Sequence, residues 1–485
     1  MKIAIIGFAL SGATFLQTIL DNDPTDLKIY IYEKRNEYPT GLPYEKDSLD
    51  KLLNVDTDEM VYPEDMADDF PKWMDANNKN LDPVENMAPR VYFGQYLKEK
   101  TKDYLNNPCV NLINEEVKNI SVEIIASKER YTVESATKKA KYDLVFLGTG
   151  ASFYQDPYKL ERKENYIAKP YPLEEKLKAI KEDKKIAILG TSASSTDVFR
   201  YLSKNKKLKE PISFFTGPSE YKIVDIPYEG NILDYYSPNQ EWIDKELEAC
   251  GEIKLDRLVN TINDDFKKAG VELSYAYETY KDHTLALSKK AIEINDQDLA
   301  FTEDYFIQFA LYVADLANFM NPIDRKVFLE NHYIYLSFLG GKTPYGSMKL
   351  LLDYYDKEKM DVTTNLEEVK VNSDGSFTLI GKKKKDADII INSTGFEMDL
   401  QKIAQRIPLY ESLLRNEMIM ADTNGEGIAV TWPRCNPLSK KFGKLNNLFI
   451  TGMLITQTDI DNNDARCIQK TSMRIAELIK KEYKL

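Results

Sequence analysis

Gly7-Phe8-Ala9-Leu10-Ser11-Gly12 has the spacing of a turn that cradles a pyrophosphate, G-x-G-x-x-G with alanine for its second glycine. Gly7 permits a tight turn out of a strand. The small Ala9 lets the backbone come close to phosphates, and Gly12 lets helix and strand pack tightly. The helix that follows, beyond Leu10 and Ser11, would turn its free amides and positive dipole end toward the same phosphates. Glu33, followed by Lys34, ends the next apolar run, where a carboxylate can take both hydroxyls of an adenosine ribose. The methyl of Ala9 counts against this reading, and a plain strand–helix turn without ligand is the alternative.

A second turn, Gly190-Thr191-Ser192-Ala193-Ser194-Ser195, keeps the first glycine and small residues after it, but Ser192 and Ser195 stand where glycine is expected. The run Phe214-Phe215-Thr216-Gly217-Pro218-Ser219 offers no arginine for a ribose 2′-phosphate. Two readings stay open: a nicotinamide site, for which NADH is at least as plausible as NADPH, or a retained turn that has lost its ligand. Two further turns, Gly148-Thr149-Gly150 and Ser393-Thr394-Gly395, each end an apolar run led by an aspartate, Asp143 and Asp388.

The elements needed to position these turns are legible in outline. Lys2–Ile6 is a short apolar run rich in β-branched residues, as in a strand buried on both faces. A helix over Gly12–Leu20 and a strand over Leu27–Tyr32 complete a βαβ opening. Residues 41–107 carry little strand signal, and Val110–Thr137 reads as short strands before a buried strand at Tyr142–Leu147. The opening recurs with a strand at Lys185–Leu189, a helix over Thr196–Ser203 and a strand at Ile212–Phe215. Helical periodicity then fills Tyr221 to Gly340. Strands return near Val362–Val371, Phe377–Ile380, Ala387–Ser393 and Asn447–Thr451, and a terminal helix is expected from about Asn463 to Lys481. The class is α/β, with two Rossmann-like dinucleotide-binding units, the second inserted into the first, plus a helical elaboration.

The bulk properties exclude several functions. The 485 residues are 43% hydrophobic and 29% charged, with a formal charge of −13, which argues against a general binder of nucleic acid or anionic membrane. A local basic pocket for a phosphate-bearing cofactor remains compatible. Cys109, Cys250, Cys435 and Cys467 form no CxxC pair, so neither a redox disulfide nor a zinc site is expected, and no metal is assigned. The N-terminal run stops at Gly7 without a cleavage-site pattern, and Phe306 to Met320 is too short and too interrupted to span a bilayer. A cytoplasmic protein is expected. Of the two histidines, His332 lies among aromatic residues and reads as structural, and His283 as exposed. The Tyr and Phe surplus of residues 221–340 reads as core and pocket lining, and Lys382–Lys385 as a solvated hairpin turn.

The sequence resembles the FAD–NAD(P)-binding family that contains FAD-dependent urate hydroxylase-like proteins and lies near the class B flavin monooxygenases. The matching residues are the Gly7–Gly12 fingerprint, Gly41-Leu42-Pro43-Tyr44, Leu52-Leu53-Asn54, and Pro89-Arg90-Val91-Tyr92-Phe93-Gly94-Gln95-Tyr96-Leu97. Gly148-Thr149-Gly150, the Gly190 turn, Arg325-Lys326-Val327-Phe328-Leu329 and Ile450-Thr451-Gly452 follow. The resemblance implies an FAD domain over 1–152 and 396–485 and an NAD(P)-binding-like domain over 153–220 and 341–395, with 221–340 as a helical insertion covering the substrate. It puts Asn54 and Arg90 near the flavin or its phosphates, Val117 at the adenine, and Thr149 and Gly150 where the chain crosses between domains. A helix starting near Asn462 or Asn463, beyond Gly452, would aim its positive end at the flavin N1/C2=O edge.

The expected function is an FAD-dependent oxidoreductase, foremost a monooxygenase. NADH or NADPH would reduce the flavin, O2 would add at C4a, and the peroxy species would oxygenate a small molecule. A flavin oxidase or dehydrogenase with a vestigial Gly190 turn, and a flavin-binding regulatory protein without turnover, are the alternatives. Homodimerisation stays open.

Overall fold

The apolar runs become the strands of two parallel sheets whose construction is nearly duplicated. A computed structural model describes residues 1–21, 24, 26–62, 68–126, 128–150, 153–333 and 342–485. In chain order the first strands are β1 (Lys2–Ile6), β2 (Lys28–Tyr32), β3 (Val110–Ile113), β4 (Asn119–Ile125), β5 (Lys128–Glu134), β6 (Lys139–Tyr142) and β7 (Leu144–Leu147). Next come β8 (Tyr166–Ile167), β9 (Ile186–Leu189), β10 (Ile212–Phe215), β11 (Met360–Thr363), β12 (Glu368–Val371), β13 (Phe377–Ile380), β14 (Lys384–Ala387) and β15 (Ile389–Asn392). A small hairpin of β16 (Leu438–Ser439) and β17 (Gly443–Lys444) precedes β18 (Leu448–Ile450).

The first sheet has the order β18-β7-β1-β2-β3 and the second β11-β10-β9-β15-β8, and every pairing in both is parallel. Strands β7 and β9 are buried along their whole length, as expected where both faces are covered. Each sheet carries an antiparallel meander, β4-β5-β6 on the first and β12-β13-β14 on the second. One aspartate joins each meander to the sheet. The Asp143 carboxylate accepts from the amide of Lys2 at 2.8 Å, and the Asp143 amide donates back to the Lys2 carbonyl at 2.9 Å. Asp388 makes the same two bonds with Lys185, both at 2.8 Å. The recurrent Asp-led strands of the sequence are thus one structural device used twice, pinning the start of the central strand of each sheet.

Between the two parts of the second sheet lies a helical body. Its core gathers Ile243, Ile253, Leu258, Phe266, Phe301, Tyr305, Phe309 and Leu316. Its tyrosines serve as packing that also satisfies buried acids, Tyr305 donating to Asp265 at 2.7 Å and Tyr275 to Asp296 at 2.7 Å. The body also grips the far end of the first unit. Asp315 pairs with Arg474 at 2.7 Å and accepts from the Trp432 indole at 2.9 Å, and Asn318 donates to the Thr458 carbonyl at 2.7 Å. Among the described residues no helix is long and apolar enough to cross a membrane.

Four local expectations are corrected. His283 is buried, not exposed, and adopts φ +46° while its Nδ1 accepts from the Ile223 amide at 3.1 Å. The second opening helix runs over Ala193–Asn205, so Ala193 to Ser195 belong to its first turn rather than to the loop. The terminal helix is Ala465–Tyr483, capped by the Asp464 carboxylate on the Arg466 amide at 2.7 Å. Asn462 is spent elsewhere, donating to the Gly452 carbonyl at 2.8 Å. Lys384 and Lys385 already belong to β14, and Lys385 pairs with Asp361 at 2.5 Å.

Burial of His283, with Lys222 adding to it, pushes the imidazole down from 6.5 to about 4. Between those values the folded protein binds fewer protons than the unfolded chain. The stability held by the neutral ring is therefore complete above about pH 6.5 and lost as pH falls toward 4. Urea unfolding midpoints of wild type are expected to drop more steeply between about pH 7 and about pH 4.5 than those of His283→Gln, whose amide oxygen can still accept from Ile223. Equal slopes would sink this assignment.

Candidate functional site

The Gly7 turn sits where the chain leaves β1 beside β7, the point at which the strand order of the first sheet reverses and the crevice between neighbouring strand ends opens. Gly7 has φ +87°, and a Cβ there would overlap the carbonyl oxygen of Gly148 and lie 2.8 Å from its carbon. A Cβ on Gly12 would stand 2.5 Å from the Gly7 carbonyl oxygen. Ala9 is the N-cap of the helix Leu10–Leu20 and offers no side-chain cap, so the amides of that first turn face outward without a partner from the cap. Glu33 is buried, its carboxylate held by the amides of Phe8 at 2.8 Å and Arg35 at 2.9 Å. Lys34 lies on the surface and pairs with Glu116 at 2.8 Å. Val117 is buried just before β4, near the end of β2 and β3.

The most specific part of the resemblance has a packing explanation. A Cβ on Gly41 would lie 2.9 Å from the methyl of Ala9, so Gly41 makes room for the alanine that replaces the usual second glycine. A Cβ on Gly94 would overlap the Tyr44 carbonyl oxygen and reach 3.2 Å from Thr40 Cγ2. The helix Arg90–Lys100 therefore clamps the Gly41–Tyr44 loop against the Gly7 turn. The segment before it is tied in as well, the Leu53 amide donating to Ala88 at 2.8 Å and the Arg90 amide to Lys51 at 2.8 Å. Asn54, just beyond, is exposed.

The Gly190 turn repeats the first in its backbone. Gly190 has φ +99°, and a Cβ there would lie 2.6 Å from the Ser393 carbonyl oxygen. Ser192, the N-cap of Ala193–Asn205, has φ −110° and ψ −169°, against −106° and −157° for Ala9. The amides of Gly7 and Gly190 donate to Tyr32 and Phe215, the last residues of β2 and β10, and those of Gly148 and Ser393 to Ile6 and Leu189. The serine for glycine replacements do not close the turn. Ser195 is buried and folds its hydroxyl onto the Ser192 carbonyl at 2.6 Å, while Ser192 is exposed and makes no cap. At the position equivalent to Glu33 stands Thr216, whose hydroxyl lies 3.2 Å from that of Thr191.

The third crossing brings the ends of β7 and β18 together. Gly452 has φ +95°, and a Cβ there would lie 3.5 Å from Gly150 Cα. The Thr149 hydroxyl bonds the Tyr410 phenol. Two hydroxyls at strand ends, Thr451 and Ser393, are buried without a hydrogen-bond partner, one at each sheet's crevice. Buried polar atoms of this kind call for a ligand or water.

Sequence reading missed what joins the two units. Arg200, on the helix Ala193–Asn205, grips Glu85 of the first unit through Nε at 2.6 Å and Nη2 at 2.8 Å. It also reaches Asp197 at 2.9 Å, the Asp50 carbonyl at 3.1 Å and Ser347 at 3.0 Å. Asp197 takes a further bond from Tyr171 at 2.6 Å and lies 3.5 Å from Arg90, whose Nε donates to the Leu52 carbonyl at 2.5 Å. Arg90, expected at the flavin or its phosphates, is therefore engaged in this junction. Beside it Lys51, nearly fully buried, is pushed down to about 8 by burial and by Arg90. Beyond the junction Tyr44, Glu59, Asp464, Arg466 and Lys342 lie close enough to act on one another's charge. Burial pushes Tyr44 up to about 12, with Arg90 opposing it. Arg466 bridges Asp464 at 3.1 Å and Glu59 at 3.2 Å. The acidic cap weakens the positive end expected of the terminal helix, and Arg466 restores cationic character beside it.

Residues 4–152 match the family model described as FAD-NAD(P)-binding. No curated protein matches the chain in sequence. Over its whole length the fold is similar to L-lysine 6-monooxygenase from Pseudomonas syringae, with TM-score 0.59, 13% identity and 99% of each chain covered. It is similar too to the ornithine hydroxylase of Pseudomonas aeruginosa, with TM-score 0.57, 10% identity and 99% of each chain covered. The bacillithiol disulfide reductase of Staphylococcus aureus gives TM-score 0.54 and 12% identity over 99% of this chain and 98% of that one. The chain thus shares the overall fold of these three proteins, with two parallel sheets each opened by a glycine turn.

Proposed function

We propose that the protein is an FAD-dependent oxidoreductase that draws electrons from a nicotinamide dinucleotide, NADH in preference to NADPH, and uses O2 to oxygenate a small molecule held between the two units. The carrying observation is the duplicated turn: Gly7 and Gly190 share backbone geometry and stand at the two switch points, one sheet for each dinucleotide. In this reading the amides at Ala9 to Gly12 hold the FAD pyrophosphate, Glu33 its adenosine ribose, and Val117 borders the adenine. The isoalloxazine lies toward Gly41–Tyr44, Asn54 and the Gly150–Gly452 crossing. Gly190, Ser192 and Ser195 hold the nicotinamide dinucleotide.

Bound FAD would supply hydride acceptance and the activation of O2. The chain positions and shields. The Arg200 junction fixes the angle at which the two cofactors meet, and the helical body, docked on the first unit, would exclude water from the space between them. NADH is preferred because Thr216 to Glu220 carry no cation for a 2′-phosphate. The oxygenase neighbours agree better with this site than the disulfide reductase does. Cys435 and Cys467 are buried with their thiols pushed up by burial, so neither is suited to thiolate chemistry.

The test is anaerobic stopped-flow mixing of the FAD-loaded protein with each nucleotide. NADH is expected to bleach the flavin at least about tenfold faster than NADPH, since a desolvated, unpaired phosphate costs more than 1.4 kcal/mol. No bleaching by either would end the oxygenase reading.

A further inference from the structure

Lys51 is enclosed in the junction between the two units, with 2% of its side chain exposed. An ammonium carries three N–H donors and no acceptor. The Leu42 carbonyl satisfies one of them at 3.0 Å. The nearest carboxylate oxygen, Asp47 Oδ2, stands 3.7 Å from Nζ, too far for a hydrogen bond. The ring of Tyr171 covers the ammonium, its centroid 4.4 Å away. A buried charge so thinly paired is costly.

The surrounding charges do not make up the shortfall. The other oxygen of Asp47 takes the amides of Ser48 at 2.8 Å and of Leu173 at 2.7 Å. Glu45 is paired with Arg35 at 2.8 Å. Asp197, on the helix Ala193–Asn205, is shared among Arg200, Arg90 and the Tyr171 hydroxyl. Arg90 adds like charge to Lys51 and does not give up its proton. Tyr171 stays neutral, its hydroxyl pushed well above the usual value by burial and by Asp197. Lys51 is the cation of this cluster able to shed its charge, and burial together with Arg90 brings it down from 10.5 to about 8.

The contacts that enclose it run from one unit to the other. Tyr171 and Leu173 belong to the second unit, whereas Leu42 lies in the Gly41–Tyr44 loop packed on the Gly7 turn. Parting the units would draw the ring away from Nζ and admit water to it.

We propose that Lys51 is a positioning residue that releases a proton to solvent when the two units close, so that their junction tightens as the solution turns alkaline. The neutral amine still donates to the Leu42 carbonyl and packs under the Tyr171 ring without the cost of a desolvated charge. The proposal rests on the reading of the two units as flavin and nicotinamide sites, and it adds a regulation of their coupling.

The experiment is urea unfolding of the FAD-loaded protein from about pH 7 to about pH 10, with Lys51→Met beside wild type. A lysine held below its ordinary value binds fewer protons folded than unfolded, so its contribution to stability rises as pH climbs through about 8 and levels off near 10.5. Relative to Lys51→Met, the wild-type unfolding constant is expected to fall about tenfold per pH unit between about pH 8.5 and about pH 10. Tyr171→Ala, which takes the second unit's ring off Nζ, should move this rise to higher pH. Stopped-flow reduction gives the functional arm. Its rate with NADH should climb severalfold across the same range in wild type and stay level in Lys51→Met. Parallel stability profiles of wild type and Lys51→Met, a Tyr171→Ala profile unchanged from wild type, or one pH profile of reduction common to wild type and Lys51→Met would overturn the proposal. If NADH bleaches no flavin at all, the nicotinamide reading falls, and the unfolding profiles still decide for or against Lys51.

Discussion

Gly7→Ala protein is expected to be purified without flavin and to unfold at a lower temperature than wild type. The added Cβ meets backbone on the neighbouring crossing, overlapping the Gly148 carbonyl oxygen with the carbonyl carbon at 2.8 Å and Thr149 Cα at 3.1 Å. Neither can rotate away, because the Gly148 amide is bonded to Ile6 and the strands on both sides are buried apart from Lys2 at the far end of β1. A φ of +87° adds roughly 1–2 kcal/mol for any residue with a Cβ, and forced overlap in a packed region about 1–3 kcal/mol more. The relief available is to part β1 from β7, which widens the crevice that must fit a pyrophosphate. Gly270→Ala, at the end of helix Leu255–Ala269 in the helical body, is the control. It shares a positive φ, +75°, but its Cβ would meet nothing within 4 Å, so it should cost about 1 kcal/mol and keep its flavin. Absorbance of the purified proteins and reconstitution with FAD check both, and a yellow Gly7→Ala protein of normal Tm would remove the first turn from the cofactor site.

The same geometry predicts a separation of function at the second turn. Gly190→Ala drives a Cβ to 2.6 Å from the Ser393 carbonyl oxygen while leaving the first sheet untouched. Such a protein should retain FAD and lose reduction by NADH.

What was legible in the sequence was local. The Gly7 fingerprint, Glu33 and the Asp143 and Asp388 strand starts announce themselves within a few residues, and strands such as Ile212–Phe215 and Phe377–Ile380 lie where their apolar runs predict. The Gly190 turn is harder to read because two serines replace glycines, although the backbone needs only the first glycine to turn and small side chains thereafter. The helix start was misplaced because Asn462, Asn463 and Asp464 are all competent caps, and which one caps depends on Asn462 being drawn to Gly452. His283 and Glu303 depend on partners far along the chain. His283 follows Lys281 and Asp282 and looks solvated until Ile223 is seen beside it. Glu303 sits within a helix that alternates acids and aromatics, and only the fold reveals that Asp304 faces Lys342 while Glu303 is enclosed.

Arg200 is the residue whose loss should most disturb the joined structure. It stands 115 positions from Glu85, yet the pair is almost completely buried, with 3% and 0% of the two side chains exposed. Removing one member of such a pair strands the other, and Arg200→Met is expected to cost about 3–5 kcal/mol, read from urea unfolding of the FAD-loaded protein. Most of that loss would be the unpaired charge of Glu85 rather than the worth of the contact. Adding Glu85→Gln to Arg200→Met should therefore recover part of the stability, so the two changes together cost less than the sum of each alone. A surface-type ion pair behaves otherwise, with each change under about 1 kcal/mol and no coupling. The position of the pair gives a second signature. The guanidinium joins helix Ala193–Asn205 to the loop that leads into Arg90–Lys100, so weakening it loosens one nucleotide unit from the other without entering either core. Arg200→Met should bind FAD as wild type does, yet be reduced by NADH more slowly, because the hydride must cross the angle that this junction holds. A variant as stable as wild type, or one reduced at the wild-type rate, would mean that the two units are aligned by the helical body alone.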